Sequence, residues 1–188
     1  MGLLPHHTVE LNLDGTQVGV IGCAVGAPFA VLVAEQLAVS GCELVISVTS
    51  SGSITPVADP PYFVIIDRAL RDEGTSHHYL PPGQWAAAPT RLLGKLDGRL
   101  SGLTQPVVTG STWTTDALYR ETPDAIARAE QLGIVAVEME AAALYAVAAV
   151  HHRQPDRSHQ TAQCGWPWWM SGRCGCSWSS RSWWCRCV

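Results

Sequence analysis

Gly133-Ile134-Val135-Ala136-Val137-Glu138-Met139-Glu140-Ala141-Ala142-Ala143-Leu144-Tyr145 is the stretch from which the rest of the chain can be read. The glycine closes a helix, and the apolar run Ile134 to Val137 has the look of a buried strand. From Met139 to Val150, Ala, Leu, Tyr and Val then have the length and composition of a buried helix. Helix, short apolar strand and helix in that order belong to an α/β sheet. Two carboxylates stand two positions apart where the apolar strand becomes the apolar helix. Burying them unpaired is expensive, so each needs a partner or a ligand that donates hydrogen bonds. Two readings stay open: a pair of acids satisfying the orphan amides and dipole of a helix N-terminus, or carboxylates that accept from a sugar diol. In the second reading Met139 lies against the sugar's apolar side.

The alternation continues upstream. Thr122-Pro123-Asp124 starts a helix with a hydroxyl cap, a proline in the first turn and an early acid, and Gly133 closes it. Pro106 to Thr109 is a brief strand leading into the polar segment Gly110 to Thr115, Pro89 to Leu100 a helix, and Tyr62 to Ile66 a strand. Nearer the N-terminus, Val9 to Leu13 alternates like a half-exposed strand, Asp14-Gly15 is a hairpin turn, and Val18 to Ile21 resumes as a buried strand. Pro28 opens a helix running to Val39, Gly41 ends it, and Leu44 to Val48 reads as the next strand of a βαβ unit. The pattern predicts an α/β domain with a largely parallel or mixed sheet.

Ligands of open α/β sheets bind beyond the carboxyl ends of strands. Besides the Glu138/Glu140 junction, three such places stand out. Gly22 to Pro28 is a small-residue turn into a helix, suited to receive an anion or simply to turn tightly. Thr49-Ser50-Ser51-Gly52-Ser53 gathers hydroxyls that suit phosphate or ribose oxygens, or form a polar loop. Thr112 to Tyr119 mixes aromatic and polar residues as a wall for a planar ring would, or as a core edge would.

With 188 residues the chain has room for one domain, and its net charge of −4 gives no support for a nucleic-acid surface without a local basic patch. The average hides a division near Val150. Residues 1–150 hold 7 Lys/Arg against 15 Asp/Glu, while residues 151–188 hold 5 Arg against 1 Asp, with six of the eight Trp and five of the seven Cys. The two parts are therefore read separately. No apolar stretch is long enough for a membrane span, the N-terminus has no secretory pattern, and only Cys23 and Cys42 precede the division. A reducing cytoplasm is the expected location.

The residues just quoted resemble one family, the nucleoside phosphorylases of the purine-nucleoside and uridine phosphorylase type, with their nucleosidase relatives. Gly133 to Tyr145 carries the most specific likeness. Thr115 to Tyr119, Gly22 to Leu37, Ser50 to Ser53 and Arg71-Asp72-Glu73-Gly74-Thr75-Ser76-His77-His78-Tyr79 add to it, over roughly residues 8–150. The resemblance implies a three-layer α/β/α fold with a mixed central sheet, assembled as a homo-oligomer (dimer, trimer or hexamer). It implies phosphorolysis of a nucleoside, uridine or a purine nucleoside, to free base and ribose 1-phosphate. A hydrolytic nucleosidase and an inactive remnant that binds nucleoside or joins intact subunits are the alternatives.

Carried over by motif, Glu140 would hold the ribose hydroxyls, Met139 would pack on the sugar and Glu138 would lie beside it. Ser50 and Gly52, with Gly26, would approach phosphate and ribose, and Leu118 and Tyr119 would wall the base. Inorganic phosphate would be co-substrate, with no metal and no organic cofactor, and neither a nucleic acid nor a membrane as partner. The sequence departs from the family pattern at Ala24 and Phe29, and at Ser47, where members carry a phosphate-binding arginine whose charge serine cannot supply. The domain is expected to lack the family's first strand and its C-terminal part. The Trp-, Cys- and Arg-rich residues 151–188 are expected to be disordered or an out-of-frame translation. Their Cys spacings do not make a zinc framework.

Overall fold

The computed structural model describes residues 8–96, 98–151 and 160–168, with residue 8 and the last stretch described by their backbone. Strands β1 (Thr8–Leu13) and β2 (Thr16–Ile21) form an antiparallel hairpin. Asp14 and Gly15 at its turn have φ of 49° and 86°, the left-handed pair that tight hairpins require. The Gly15 amide donates to Asn12 Oδ1 at 2.9 Å. The hairpin is where the pattern put it, but it is a separate two-stranded sheet. Its Val20 is 47% exposed, so β2 is not the buried strand expected, and no βαβ unit joins it to the strand that follows.

That following strand, β3 (Leu44–Ser53), comes after helix α1 (Ala27–Val39) and lies in the main sheet. Then come β4 (Phe63–Asp72), β5 (Trp85–Ala87), α2 (Thr90–Leu96), β6 (Val107–Thr115), α3 (Pro123–Gln131), β7 (Ile134–Glu138), α4 (Ala141–His151) and β8 (Gln160–Trp168). The order across the six-stranded sheet is β5-β4-β6-β7-β3-β8, and β8 also pairs with β4, so the sheet curls round on itself. Strands β4, β6 and β7 run parallel, β3 is antiparallel to β7, and β3 is parallel to β8. The mixed sheet of an α/β fold is thus present. Helix α4 packs on β4, β5 and α1, while α3 supplies Ala125 and Ala129 to a cluster with Trp113 and Val137.

Local chemistry explains the helix ends. The Thr122 hydroxyl accepts from the Ala125 amide at 3.3 Å and Pro123 fills the first turn of α3, which Gly133 terminates at φ 71°. Helix α4 is buried almost throughout, from Ala141 to Ala148, as an apolar helix between a sheet and α1 must be. Near its far end His151 Nε2 lies 3.0 Å from Glu35 Oε2 of α1.

Three segments differ from expectation. Thr49 to Ser53 is the second half of β3, not a loop, and Gly110 to Thr115 likewise continues β6. Hydroxyl side chains can lie in buried strands when each finds a partner, as Thr112 and Thr114 do. Third, the backbone of Gln160–Trp168 forms a strand paired with β3 from Leu44 to Gly52, so this part of the tail is not outside the fold. The out-of-frame reading otherwise falls on 152–159 and 169–188, outside the described residues.

Candidate functional site

Thr112 and Thr114 of β6 register with Ala136 and Glu138 of β7, so their side chains share one face of the sheet. Glu138 is 3% exposed and fully engaged there. Its Oε1 accepts from Thr112 Oγ1 at 3.1 Å and Thr114 Oγ1 at 2.5 Å, and its Oε2 from the amides of Glu140 at 2.8 Å and Ala141 at 2.7 Å. Burial pushes this carboxyl up to about 7, against the lowering pull of the Thr114 hydroxyl and the Ala141 and Glu140 amides; the nearby Glu140 charge adds to the rise. Of the two readings of the paired acids, Glu138 fits the first: it ties β6, β7 and the start of α4 together.

Glu140 is different. It is also 3% exposed, and its Oε1 accepts from the Gly26 amide at 2.8 Å, but its Oε2 is buried with no hydrogen-bond partner. An acceptor left this way costs free energy unless a ligand or water fills the place. Burial raises the Glu140 carboxyl above the ordinary carboxylate range, offset in part by the Gly26 amide, the Thr49 hydroxyl and the Met139 amide. Gly26 has φ of 88°, a left-handed conformation that glycine adopts freely, and this turns its N–H toward Glu140 just before α1 begins. The small-residue turn and the acidic junction, 114 positions apart, are therefore one place in the fold. Met139 is half-buried at the turn between β7 and α4.

Strand β3 borders this place. Along it exposure alternates: Leu44, Ile46, Val48 and Ser50 face outward, while Val45, Ser47, Thr49, Ser51 and Ser53 are half-buried or buried. Ser50 is thus on the outward face, and the hydroxyls of Ser47, Thr49, Ser51 and Ser53 are on the inward one, with Thr49 and Ser51 flanking Ser50. Thr49 meets the Glu140 carboxyl. Ser51 is 5% exposed and its Oγ has no partner. Gly52 opposes Val137, and a Cβ on it would come within 2.9 Å of Val137 Cγ1, so its lack of a side chain allows the close approach of β3 to β7.

Leu118 and Tyr119 lie on a short 3-10 turn (Leu118–Arg120), 48% and 97% exposed. The described contacts bring neither of them together with Glu140. The segment from Arg71 to Tyr79 is organised by a buried arginine. Arg71 donates from Nε to Ser76 Oγ at 2.8 Å and from Nη1 to the carbonyls of Pro81 at 2.9 Å and Gly83 at 3.1 Å, and Nη2 lies 3.2 Å from His77 Nδ1. Glu73 accepts from the amides of Thr75 at 2.6 Å and Ser76 at 2.9 Å. Among the described residues no three His, Cys, Asp or Glu side chains gather as a metal site, and no helix is long and apolar enough to cross a membrane.

Of the residues singled out in the sequence, Gly26, Glu138, Met139, Glu140 and Gly52 lie in or beside this place, and Ser50 lies on the opposite face of β3 from Thr49 and Ser51. Continuing Leu44 to Val48 as a strand puts residues two apart on one face, which is the signal that separates Ser50 from Thr49 and Ser51.

The family profile described as "Phosphorylase superfamily" matches residues 5–153. A DeoD-type purine nucleoside phosphorylase of Colwellia psychrerythraea is 32% identical over 142 residues, covering 74% of this chain and 61% of that protein. A guanosine phosphorylase of Halorubrum lacusprofundi is 26% identical over 140 residues, covering 74% and 58%. A crystal structure of uridine phosphorylase from Vibrio fischeri superposes with a TM-score of 0.77 at 23% identity, over 89% of this chain and 68% of that one, a likeness of fold. The chain thus spans about 60% of the length of the curated relatives it matches. The glycine turn, the hydroxyl-rich strand and the acidic junction all lie inside the matched span, and the chain belongs to the phosphorylase superfamily.

Proposed function

We propose that the β7–α4 junction binds the ribose of a nucleoside and that the chain takes part in nucleoside phosphorolysis. The observation that carries this reading is the buried, unpartnered Oε2 of Glu140 beside an Oε1 fixed by Gly26. An ionised carboxylate only accepts, and a vicinal diol offers it donors. Cleavage of an N-glycosidic bond builds positive charge on the sugar ring. A carboxylate held in a dry site favours that charge more in the transition state than in the ground state. Glu138 would act through Glu140, since its own oxygens are already engaged. Phosphate would be the attacking group, and assembly with further copies of the chain would follow the relatives' pattern.

A second reading, a nucleoside-binding remnant without turnover, is favoured by one specific observation. No Lys or Arg occurs before Arg68, so β3 and the Gly26 turn bring no cation to a phosphate dianion. Base release from uridine, inosine and methylthioadenosine, with and without phosphate, tests both. Phosphate-dependent release supports phosphorolysis, and phosphate-independent release makes the chain a hydrolase. Ligand binding without release supports the remnant. Neither binding nor release would sink the ribose reading altogether.

A further inference from the structure

The β1–β2 hairpin has one apolar face and one polar face. Strand side chains alternate, so Val9, Leu11 and Leu13 share a face, and the cross-strand register places Val20 beside Val9 and Val18 beside Leu11 on that same face. Glu10, Asn12 and Gln17 lie on the other. The apolar face is open to solvent at Val9, Leu11, Leu13 and Val20. A two-stranded hairpin alone is marginal in water and needs a surface to pack on.

The same chain carries a second bare apolar β surface. Leu44, Ile46 and Val48 line the outward face of β3, and no charged residue of Leu44–Ser53 opposes its burial. Val9 to Leu13 and Leu44 to Val48 are each a row of three side chains ~13 Å long, so the two faces match in length as well as chemistry. Two sheet faces of this kind interdigitate when they pack. Within one chain they lie apart: both are exposed, and the short connection from the hairpin ends at Gly26, which is held to Glu140 on the inward side of β3. The seven exposed side chains of the two faces are each about half to two-thirds exposed. At roughly 100 Å² apiece they supply about 700 Å² in one contact, too little for a specific interface, and about 1,400 Å² in two, which is enough.

We propose that the chain pairs with a second copy of itself by exchanging hairpins, Val9, Leu11 and Leu13 of each copy seated on Leu44, Ile46 and Val48 of the other. The exchange is reciprocal, so the pair closes and leaves neither apolar face bare. It is carried by these surfaces and does not rest on the ribose reading of the Glu140 site.

The test is sedimentation of the full chain in reducing buffer, for the unaltered protein, Leu11→Lys, Ile46→Lys and an equimolar mixture of the two variants. The unaltered chain is expected to be a dimer at micromolar concentration. Either lysine puts a charge into both contacts and is expected to weaken dimerisation at least about 100-fold. Stability in dilute solution, where the copies are apart, is the folding control and is expected to be kept. The mixture holds one intact hairpin and one intact β3 face, so dimer should return where neither variant alone forms it. A mixture that stays monomeric, or a single variant that dimerises as the unaltered chain does, would overturn the hairpin-to-β3 contact. An unaltered chain that is monomeric, or that grows beyond two copies with concentration, would overturn the exchange.

Discussion

The Thr114 hydroxyl donates to Glu138 Oε1 at 2.5 Å and accepts from the Ala142 amide at 3.0 Å, so one side chain of β6 serves both a buried carboxylate and the first turn of α4. Removing it leaves two groups short at once. Thr114→Val keeps the shape and is expected to cost about 1–3 kcal/mol, with Thr114→Ser recovering most of the loss. Urea denaturation midpoints check this; an unshifted midpoint for the valine variant would mean that Thr112 alone suffices.

Glu138 makes stability depend on pH in an unusual direction. Its folded value near 7 lies above the ~4.3 of an unfolded chain. Between those values the folded state holds a proton that the unfolded state has released, so unfolding releases a proton. Stability from this group is full below the unfolded value and declines as pH rises toward 7. Glu138→Gln removes the titration, and its carboxamide can still accept from the Glu140 and Ala141 amides. The melting temperature of Glu138→Gln minus that of the unaltered chain should climb from pH 5 to pH 7 and then level off. A difference that stays constant over that range would contradict this origin.

Ligand capture has the opposite dependence, because only ionised Glu140 accepts from a diol. Its burial-raised value means that nucleoside affinity, full at high pH, should begin to fall on acidification while ordinary surface carboxylates are still charged. Titrating uridine binding between pH 8 and pH 5 tests the point, and affinity that rises on acidification would rule out an accepting carboxylate.

Gly52 and Val137 set how close β3 can come to β7. The 2.9 Å approach predicts that Gly52→Ala costs about 1–3 kcal/mol through overpacking. Adding Val137→Ala should return part of that loss, a coupling that the double-mutant cycle reads directly. Strict additivity would show that the two positions do not meet.

The outward face of β3 carries Leu44, Ile46 and Val48 at 46%, 63% and 67% exposure. Lysine at Ile46 or Val48 is expected to leave stability within about 0.5 kcal/mol while reducing the binding of a hydrophobic dye. A large loss of stability on either change would mean that this face is covered in solution.

Those same residues show what could be read from the sequence. The run Leu44 to Val48 announces a strand, but it looks like a buried one, because apolarity alone does not tell which face will be covered. Ile134 to Tyr145 was legible since strand and helix are both apolar there and the two acids mark the change between them. Thr112, Thr114, Thr49 and Ser51 were not legible as strand residues. Hydroxyls read as loop until the partners across the sheet are known, and those partners, Glu138 and Glu140, come from elsewhere in the chain. The left-handed conformation of Gly26 was likewise hidden: a tight turn and an amide aimed at a carboxylate share the same letters.

The pairing of Gly52 with Val137, with Gly26 held to Glu140, joins early and late segments of the chain. Contacts so far apart along the sequence are entropically slow to close, whereas the β1–β2 hairpin and the single helices form locally. During synthesis the Gly26–Glu140 contact therefore does not exist until the acidic junction has emerged. Refolding should show secondary structure arising ahead of nucleoside binding, with the glycine turn and the acidic junction meeting among the last events.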